Sequence, residues 1–373
     1  MKRAGRALVG LLAAVWLSGC SVPLLPTPLP TLTVTPSPLP PTPTVTPEPS
    51  PTPLPTPIPT PDPSALPGVA AEGLGSVGAQ AGSASLICMR YEDTDGDGMP
   101  EWLAVVHQPE ERLSAFVLDG DVTYPLTPMQ PEPGKRDIGL GQYAACEVTV
   151  RDVNNDGRPE VAIFGHADAN ETLMHLYVWD EGSYRLMGAF RGTSGVFFED
   201  ADGDLAEEII EGHRDQGASD LTWHVIFTWD GQTYGWTTDR WRWTTLRRPH
   251  AYPTYRPEYA VISFYLALND RDLPGAYALL SPEAQAGSPY ETWAAGFDRT
   301  LRVDAGSVRP LSGVGDETHR RVVAMVTAWD NEEGRVVGRT WDVEWETVLT
   351  PDGWRLGSGT TNLLTTWDAP YWR

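Results

Sequence analysis

Between residues 86 and 245, apolar and polar positions alternate in short runs, and the runs come in sets of four. Period-two alternation marks strands with one face buried. Entry strands are expected at Leu86–Tyr91, Cys146–Val150 and Gly195–Phe198. Exit strands are expected at Trp102–Val106, Val161–Phe164 and Ile209–Ile210. A hairpin follows each exit: Ser114–Leu118 into Val122–Leu126, Leu173–Trp179 into Tyr184–Met187, and Trp223–Trp229 into Thr233–Thr237. After Pro257 the period lengthens. Tyr259, Ile262, Tyr265 and Leu266 recur at helical spacing within Glu258–Asn269. Leu273–Leu280 is a second expected helix, with Pro274 near its start, and Pro289–Phe297 a third, capped by Ser288. Strands are then expected over 301–303, 307–312, 320–329, 336–349 and 354–362. The pattern predicts an all-β repeat region followed by an α+β region with an antiparallel meander.

One polar stretch interrupts each repeat between its entry and exit strands. It reads Asp93-Thr94-Asp95-Gly96-Asp97-Gly98-Met99-Pro100-Glu101, then Asp152-Val153-Asn154-Asn155-Asp156-Gly157-Arg158-Pro159-Glu160, then Asp200-Ala201-Asp202-Gly203-Asp204-Leu205-Ala206-Glu207-Glu208. Oxygen-bearing side chains stand at positions 1, 3, 5 and 9. A hard cation such as Ca²⁺ takes six to eight oxygens, and alternating Asp/Asn in a tight loop aims them at one point. Gly98 and Gly157 supply the sharp turn at position 6, where the third copy has Leu205, so the third copy is expected to depart there. Position 12 is Ala104, Ile163 and Glu211, and strands rather than helices flank the loops, which excludes EF-hands.

The N-terminus changes the picture from fold to address. Lys2, Arg3 and Arg6 precede an apolar stretch, Ala7–Leu17, too short to span a membrane. It ends Leu17-Ser18-Gly19-Cys20, which resembles the lipobox of bacterial lipoproteins over residues 1–20. That resemblance implies a cleaved signal peptide and lipid on Cys20, and hence an extracytoplasmic, membrane-lipid-anchored protein of a bacterium. Residues 21–65 are a Pro/Thr-rich stalk. Proline at nearly every second position removes amide donors and fixes φ, so neither helix nor sheet forms. The 41 residues from Pro23 to Pro63 reach roughly 130 Å at ~3.1 Å each. Residues 66–85 are a flexible Gly/Ala/Ser approach.

The net charge of −23 becomes −26 once Lys2, Arg3 and Arg6 are removed, which disfavours nucleic acid and suits bound cations. Cys88 and Cys146 occupy similar places before the first two loops, leaving a disulfide or two buried thiols open. His107, His166 and His213 follow the exit strands; duplication of a strand-end residue accounts for them better than a shared metal site. Trp236, Trp241 and Trp243 alternate with Arg240 and Arg242, near Arg247 and Arg248. Such a strip either stacks sugars or fills an interdomain seam, and its position before Pro249 favours the seam.

Four strands per unit, with loops 59 and then 48 residues apart, describe propeller blades. The loops and their strand context resemble the FG-GAP and VCBS repeats of integrin-like β-propellers over residues 86–248. The resemblance implies calcium held by Asp93, Asp95, Asp97 and Glu101; by Asp152, Asn154, Asp156 and Glu160; and by Asp200, Asp202, Asp204 and Glu208. Backbone carbonyls of Met99, Arg158 and Ala206 would complete the shells. Three recognisable blades fall short of a closed ring, which leaves an open arc or an edge covered by the C-terminal part. Residues 256–373 resemble the NTF2-like (SnoaL-like) cone, with Tyr290–Phe297 matching its third-helix stretch. Enzymes of that superfamily use Asp/His or Tyr/Asp pairs inside the cone. His319 and Asp298 are the candidates visible here, and both read as surface residues. No Ser-His-Asp order, zinc motif or phosphate-binding loop is present. The sequence therefore points to a non-enzymatic, calcium-stabilised surface protein binding a wall polymer, glycan or protein. An enzyme with a pocket in the cone (hydrolase or isomerase) and an oligomerisation module are the alternatives.

Overall fold

The computed structural model describes residues 85–108, 112–126, 147–245 and 250–372. The signal peptide with Cys20, the stalk, most of the Gly/Ala/Ser approach, Cys146, Arg247 and Arg248 lie outside the described residues. Cys88 is disulfide-bonded.

The described residues are mostly β and form four four-stranded antiparallel sheets in chain order. The first holds β1 (Ser85–Glu92), β2 (Glu101–Gln108), β3 (Arg112–Asp119) and β4 (Val122–Leu126). The second holds β5 (Val148–Arg151), β6 (Glu160–Asp168), β7 (Glu171–Asp180) and β8 (Ser183–Gly192). The third holds β9 (Val196–Glu199), β10 (Glu208–Arg214), β11 (Leu221–Trp229) and β12 (Tyr234–Trp243). Each sheet is a meander whose strands neighbour one another in chain order.

The alternation places the cores. Val161, Ile163 and Tyr177 of the second sheet pack on Leu103, Val105 and Val117 of the first. The intervening positions, Ala162, Met174 and Leu176, pack on Val196, Ile209 and Tyr234 of the third. Both faces of the second sheet are thus buried, and the three sheets stack in series.

Beyond β12 lie α1 (Pro257–Asn269), α2 (Leu273–Ala278), α3 (Pro282–Gly287) and α4 (Tyr290–Ala294), then β13 (Thr300–Gly315), β14 (His319–Glu332), β15 (Arg335–Thr350) and β16 (Gly353–Asp368). Almost every residue of α1 is buried. One side joins the core of the fourth sheet through Phe264 and Leu268. The other, through Tyr259, Ile262 and Leu266, meets Leu221 of the third sheet with Trp241 and Trp243 beside it. Three local expectations change. Ser281 caps a helix that was not expected, accepting from Ala284 N at 3.2 Å. Ser288 is not an N-cap; Pro289 takes that position, with no side-chain bond. The strands expected at 301–303 and 307–312 are one bulged strand, β13. Its Gly306 lies so close to the Asp239 carbonyl that a Cβ would sit 1.8 Å from the oxygen.

Candidate functional site

The three acidic loops share one construction, assembled from local hydrogen bonds. The position-1 carboxylate accepts from amides further round the turn: Gly96 N at 2.8 Å and Gly98 N at 3.0 Å for Asp93, Gly157 N at 2.9 Å for Asp152, and Gly203 N at 2.7 Å for Asp200. Asp95, Asn154 and Asp202 each accept from the position-5 amide, at 3.0, 3.0 and 3.2 Å. Asp97, Asp156 and Asp204 each accept from the position-7 amide of Met99, Arg158 and Ala206, at 2.7, 2.9 and 2.8 Å. The position-9 glutamate begins the exit strand and reaches back. Its Oε2 accepts from the position-2 amide of Thr94, Val153 and Ala201 at 2.7, 2.9 and 2.6 Å. One oxygen of each glutamate is thereby spent on the backbone.

This route needs left-handed backbone twice. Position 4 has φ of +79° at Gly96, +58° at Asn155 and +83° at Gly203; position 6 has +87° at Gly98, +87° at Gly157 and +81° at Leu205. The third loop therefore keeps the turn that Leu205 was expected to disrupt, and does so in a conformation costly to a side-chain-bearing residue. The recurrent Gly/Asn at position 4 is a signal in the sequence that stands beside the Asp alternation.

The loops differ in how ready they are for a cation. In the first, oxygens of Asp93, Asp95, Asp97 and Glu101 lie within 4.8 Å of one another; in the third, those of Asp200, Asp202 and Glu208 do. Either cluster could hold a metal ion. In the third loop Glu208 is 1% exposed and its Oε1 has no hydrogen-bond partner. Burial, then the neighbouring Asp202, pushes the Glu208 carboxyl up to about 8. Burial, then Asp204 and Asp200, pushes Asp202 up to about 6. Burial also raises Glu101 and Asp95 in the first loop. In the second loop an amide occupies the interior. Asn154 Nδ2 donates to Glu160 Oε1 at 3.0 Å and to Asp156 Oδ2 at 3.2 Å. Burial, then Asp156 and Asp152, lifts Glu160 to about 7. Acidic residues crowded with raised pKa values are the chemistry a divalent cation relieves. All four side chains expected in the first loop, and three of the four in the third, stand where they could hold a metal ion; Asp204 lies outside the third cluster. The second fits only after the amide is turned.

The loops also lie against one another. A Cβ on Gly96 would sit 3.0 Å from Pro159 Cδ of the second loop. Glu207 N of the third loop donates to Val153 O of the second at 2.7 Å. Tyr371 N donates to Gly203 O at 3.2 Å, which seats the C-terminal tail on the third. The run is first loop, second loop, third loop, tail.

The Trp/Arg strip resolves into a seam. Trp241 and Trp243 pack between the third sheet and α1, while Trp236 is 61% exposed. Buried Arg240 pairs with Glu199 of β9. Arg242 and Arg302 reach Asp304 of β13 at 2.7 and 2.8 Å, and Arg302 reaches Glu199 at 3.3 Å. Burial alone would raise the Asp304 carboxyl; Arg242, Arg302 and Arg240 overcome that and hold it well below the usual carboxylate range. Asp239 accepts from Trp223 Nε1 at 2.5 Å and from Ser307 N at 2.8 Å, tying β11, β12 and β13. Among the described residues no histidine joins a cluster of candidate metal ligands. His213 is beside Glu211, at 3.4 Å, and His166 is 4.0 Å from Glu147. His319 and Asp298 are exposed.

A second concavity lies within the C-terminal region. A cavity of about 530 Å³ is walled by Phe264, Trp293, Phe297, Trp341 and Trp345. Its polar lining includes Tyr265, whose hydroxyl accepts from Trp345 Nε1 at 3.1 Å. Asp330 also lines it, bonded to Thr300 Oγ1 at 2.7 Å and Arg339 at 3.2 Å. Sequence reasoning missed both. They stand 65 residues apart, and only the folded sheet brings them to one space.

No helix among the described residues is long and apolar enough to cross a membrane. The chain matches no family model and no curated protein. It is similar to a solved structure of an Aleuria aurantia lectin mutant in complex with Fucα1-6GlcNAc, at 10% identity, covering 74% of this chain and 78% of that one, with a TM-score of 0.22. At that score the likeness carries no argument.

Proposed function

We propose that this is a non-enzymatic, lipid-anchored surface protein of a bacterium. Calcium stiffens its β-repeats, and its head binds a wall polymer, a glycan or another protein. In this reading the first three sheets are propeller-type blades, the fourth sheet with its helices is an NTF2-like cone, and Cys20 carries the lipid. The single observation that carries it is the third loop. A buried glutamate oxygen with no protein partner stands among the oxygens of Asp200 and Asp202, on a backbone that the first and second loops repeat. An unpartnered buried carboxylate oxygen is expensive, and a cation at that point supplies the missing partner. Ca²⁺ would be held by Asp93, Asp95, Asp97 and Glu101, by Asp200, Asp202, Asp204 and Glu208, and after amide rotation by Asp152, Asn154, Asp156 and Glu160. Position-7 carbonyls of Met99, Arg158 and Ala206 would add to each shell. Titrating Ca²⁺ into the chelator-stripped chain tests it. The melt should rise by about 2.7 kcal/mol per site at a hundredfold excess over Kd. No rise at millimolar Ca²⁺ would reduce the loops to acidic turns. The anchor has its own test: metabolic lipid labelling that is lost in Cys20→Ser.

The cavity favours a second reading, a small-molecule site in the C-terminal region. Apolar walls with few polar groups are what such sites share. Saturable binding of the neutral dye N-phenyl-1-naphthylamine, weakened by Ala328→Phe in the cavity wall, would support it; non-saturable binding would sink it.

A further inference from the structure

The three loops are not equivalent in what they touch. Among the described residues, the third is the one whose hydrogen bonds reach the C-terminal tail. Gly203 accepts from Tyr371 N at 3.2 Å, and a Cβ there would sit 3.0 Å from Trp372 N and 3.3 Å from Ala369 Cβ. A side chain at 203 would press on the tail by a few tenths of an ångström, and its φ of +83° already favours glycine. The tail in turn reaches the seam. The Trp372 ring stacks on Trp329 at 4.7 Å between centroids, and the Arg302 guanidinium lies 5.2 Å from the Trp329 ring and 5.5 Å from that of Trp372. Arg302 bonds Asp304 and Glu199. Glu199 immediately precedes Asp200, the first residue of the same loop. The third loop is therefore joined to the seam twice, through Glu199 at its start and through Gly203 and the tail at its turn. Ahead of the first loop, the corresponding residue, Glu92, is exposed.

We propose that a divalent cation in the third loop is a latch: by fixing the Asp200–Glu208 turn it holds the tail Ala369–Trp372 against Gly203 and locks the third sheet to the C-terminal region. The cation has a reason to be there besides clustered carboxylates, since Glu208 Oε1 is buried and unpartnered. Bare, the loop crowds Asp200, Asp202 and Glu208 with no group bridging their oxygens, and the turn is held by its backbone hydrogen bonds alone. Filled, the turn is rigid and presents the Gly203 carbonyl to Tyr371 N. Coupling of this kind is reciprocal: if the cation favours the docked tail, the docked tail tightens the cation by the same factor.

This inference rests on the calcium reading, so its test must separate the two. In the full chain, terbium luminescence reports metal occupancy, and hydrogen exchange reports protection of residues 369–372. Ca²⁺ should slow exchange in the tail about tenfold or more, with no such effect in Asp202→Asn. Asp97→Asn, in the first loop, should keep the tail effect. From the other side, Trp372→Ala leaves every loop carboxylate in place and should weaken one class of metal site several-fold while sparing the rest. It also guards against a misfolded Asp202→Asn. Metal bound with tail exchange unchanged, or tail protection lost equally in Asp97→Asn, would overturn the latch and leave the calcium reading standing. No metal bound by the wild-type chain would remove both.

Discussion

The first and third acidic loops follow one backbone path in two different settings. In the first, Asp97 and the turn glycines face solvent, and the position-9 glutamate has neutral company: Thr94 Oγ1 donates to Glu101 Oε2 at 2.7 Å. In the third, Asp202 is half-buried, Gly203 is covered by the tail, and Glu208 keeps an unpartnered oxygen. Solvent screens charge in one and is excluded from the other, so the same donor set costs far more when bare in the third. On the calcium reading, a cation would therefore matter more to the third loop than to the first. The repeat supplies the motif; its neighbours decide what the motif does.

The largest expected effect breaks the seam that, among the described residues, the third loop adjoins through Glu199. Asp304→Ala leaves Arg240 and Arg302 paired with Glu199 and takes from Arg242 its ion pair, and unpairing a buried ionic group costs roughly 3–5 kcal/mol. Denaturant melts should show that loss. Exchange should rise in the third loop and tail before the first loop responds. Equal loosening of both loops would mean that the seam does not reach the third loop in particular.

Next in size is a pH effect of unusual sign. The Glu208 carboxyl moves from an ordinary 4.5 to about 8 in the fold, chiefly through burial. Between those values the folded chain keeps a proton that the unfolded chain has lost. Its contribution is therefore fully present below pH 4.5 and is lost as pH rises to about 8. Asp202, moved up to about 6, acts in the same direction over a narrower window. Without calcium, stability should fall between pH 5 and 8 by an amount on the order of 3 kcal/mol. Glu208→Gln should remove the largest part of that slope and leave the shares of Asp202 and of Glu160, which burial lifts to about 7; Glu101→Gln should remove less, its carboxyl being raised as well. With calcium bound the slope should vanish, because the cation replaces the proton. A Ca²⁺-free melt that climbs from pH 5 to 8 would refute the contrast.

Much of this was legible because it is local. Loop chemistry sits within nine consecutive residues, and alternation placed the strands. The four-sheet order followed from turn signals. What escaped was non-local or weakly cued. The helix at Pro282–Gly287 had a readable start in Ser281-Pro282-Glu283, overshadowed by the aromatic pattern that follows. β13 looked broken at Gly306 because its bulge answers the approach of Asp239, a residue 67 positions earlier. Trp241 and Trp243 looked like Trp236, yet only a partner helix distinguishes a seam residue from an exposed one. Tyr265 and Asp330 share a cavity that no local pattern predicts. The tail gave no sign of docking, since nothing in the local pattern sets Gly203 apart.

A smaller test converts one loop into another. In the second loop Asn154 Nδ2 donates to Asp156 and Glu160, so a neutral amide stands where the other loops have a carboxylate. Asn154→Asp removes two donors and adds a third negative charge beside Asp152 and Asp156. The calcium-free chain should lose about 1–3 kcal/mol, the usual cost of breaking buried hydrogen bonds. With excess Ca²⁺ the loss should be recovered, and calorimetric titration should show a tighter second site. If the variant is equally destabilised with and without calcium, the second loop is a structural turn, and its likeness to the first stops at the backbone.

The smallest effect isolates the backbone from the charges. Leu205 holds φ of +81° at the position where Gly98 and Gly157 hold +87°. A left-handed side-chain-bearing residue costs about 1–2 kcal/mol, and glycine gives back part of that gain as unfolded-state entropy. Its side chain is 41% exposed, so little packing is lost on removal. Leu205→Gly should therefore stabilise the chain by about 0.5–1 kcal/mol with or without calcium. The reverse change, Gly98→Leu in the first loop, should destabilise by a similar amount, since no atom would meet its Cβ and only φ opposes it. Matched and opposite shifts would show that the two turns are the same object. A larger gain for Leu205→Gly in calcium than without it would instead mean that the leucine strains the third cluster itself, and that its ligand geometry, unlike its backbone, differs from the first.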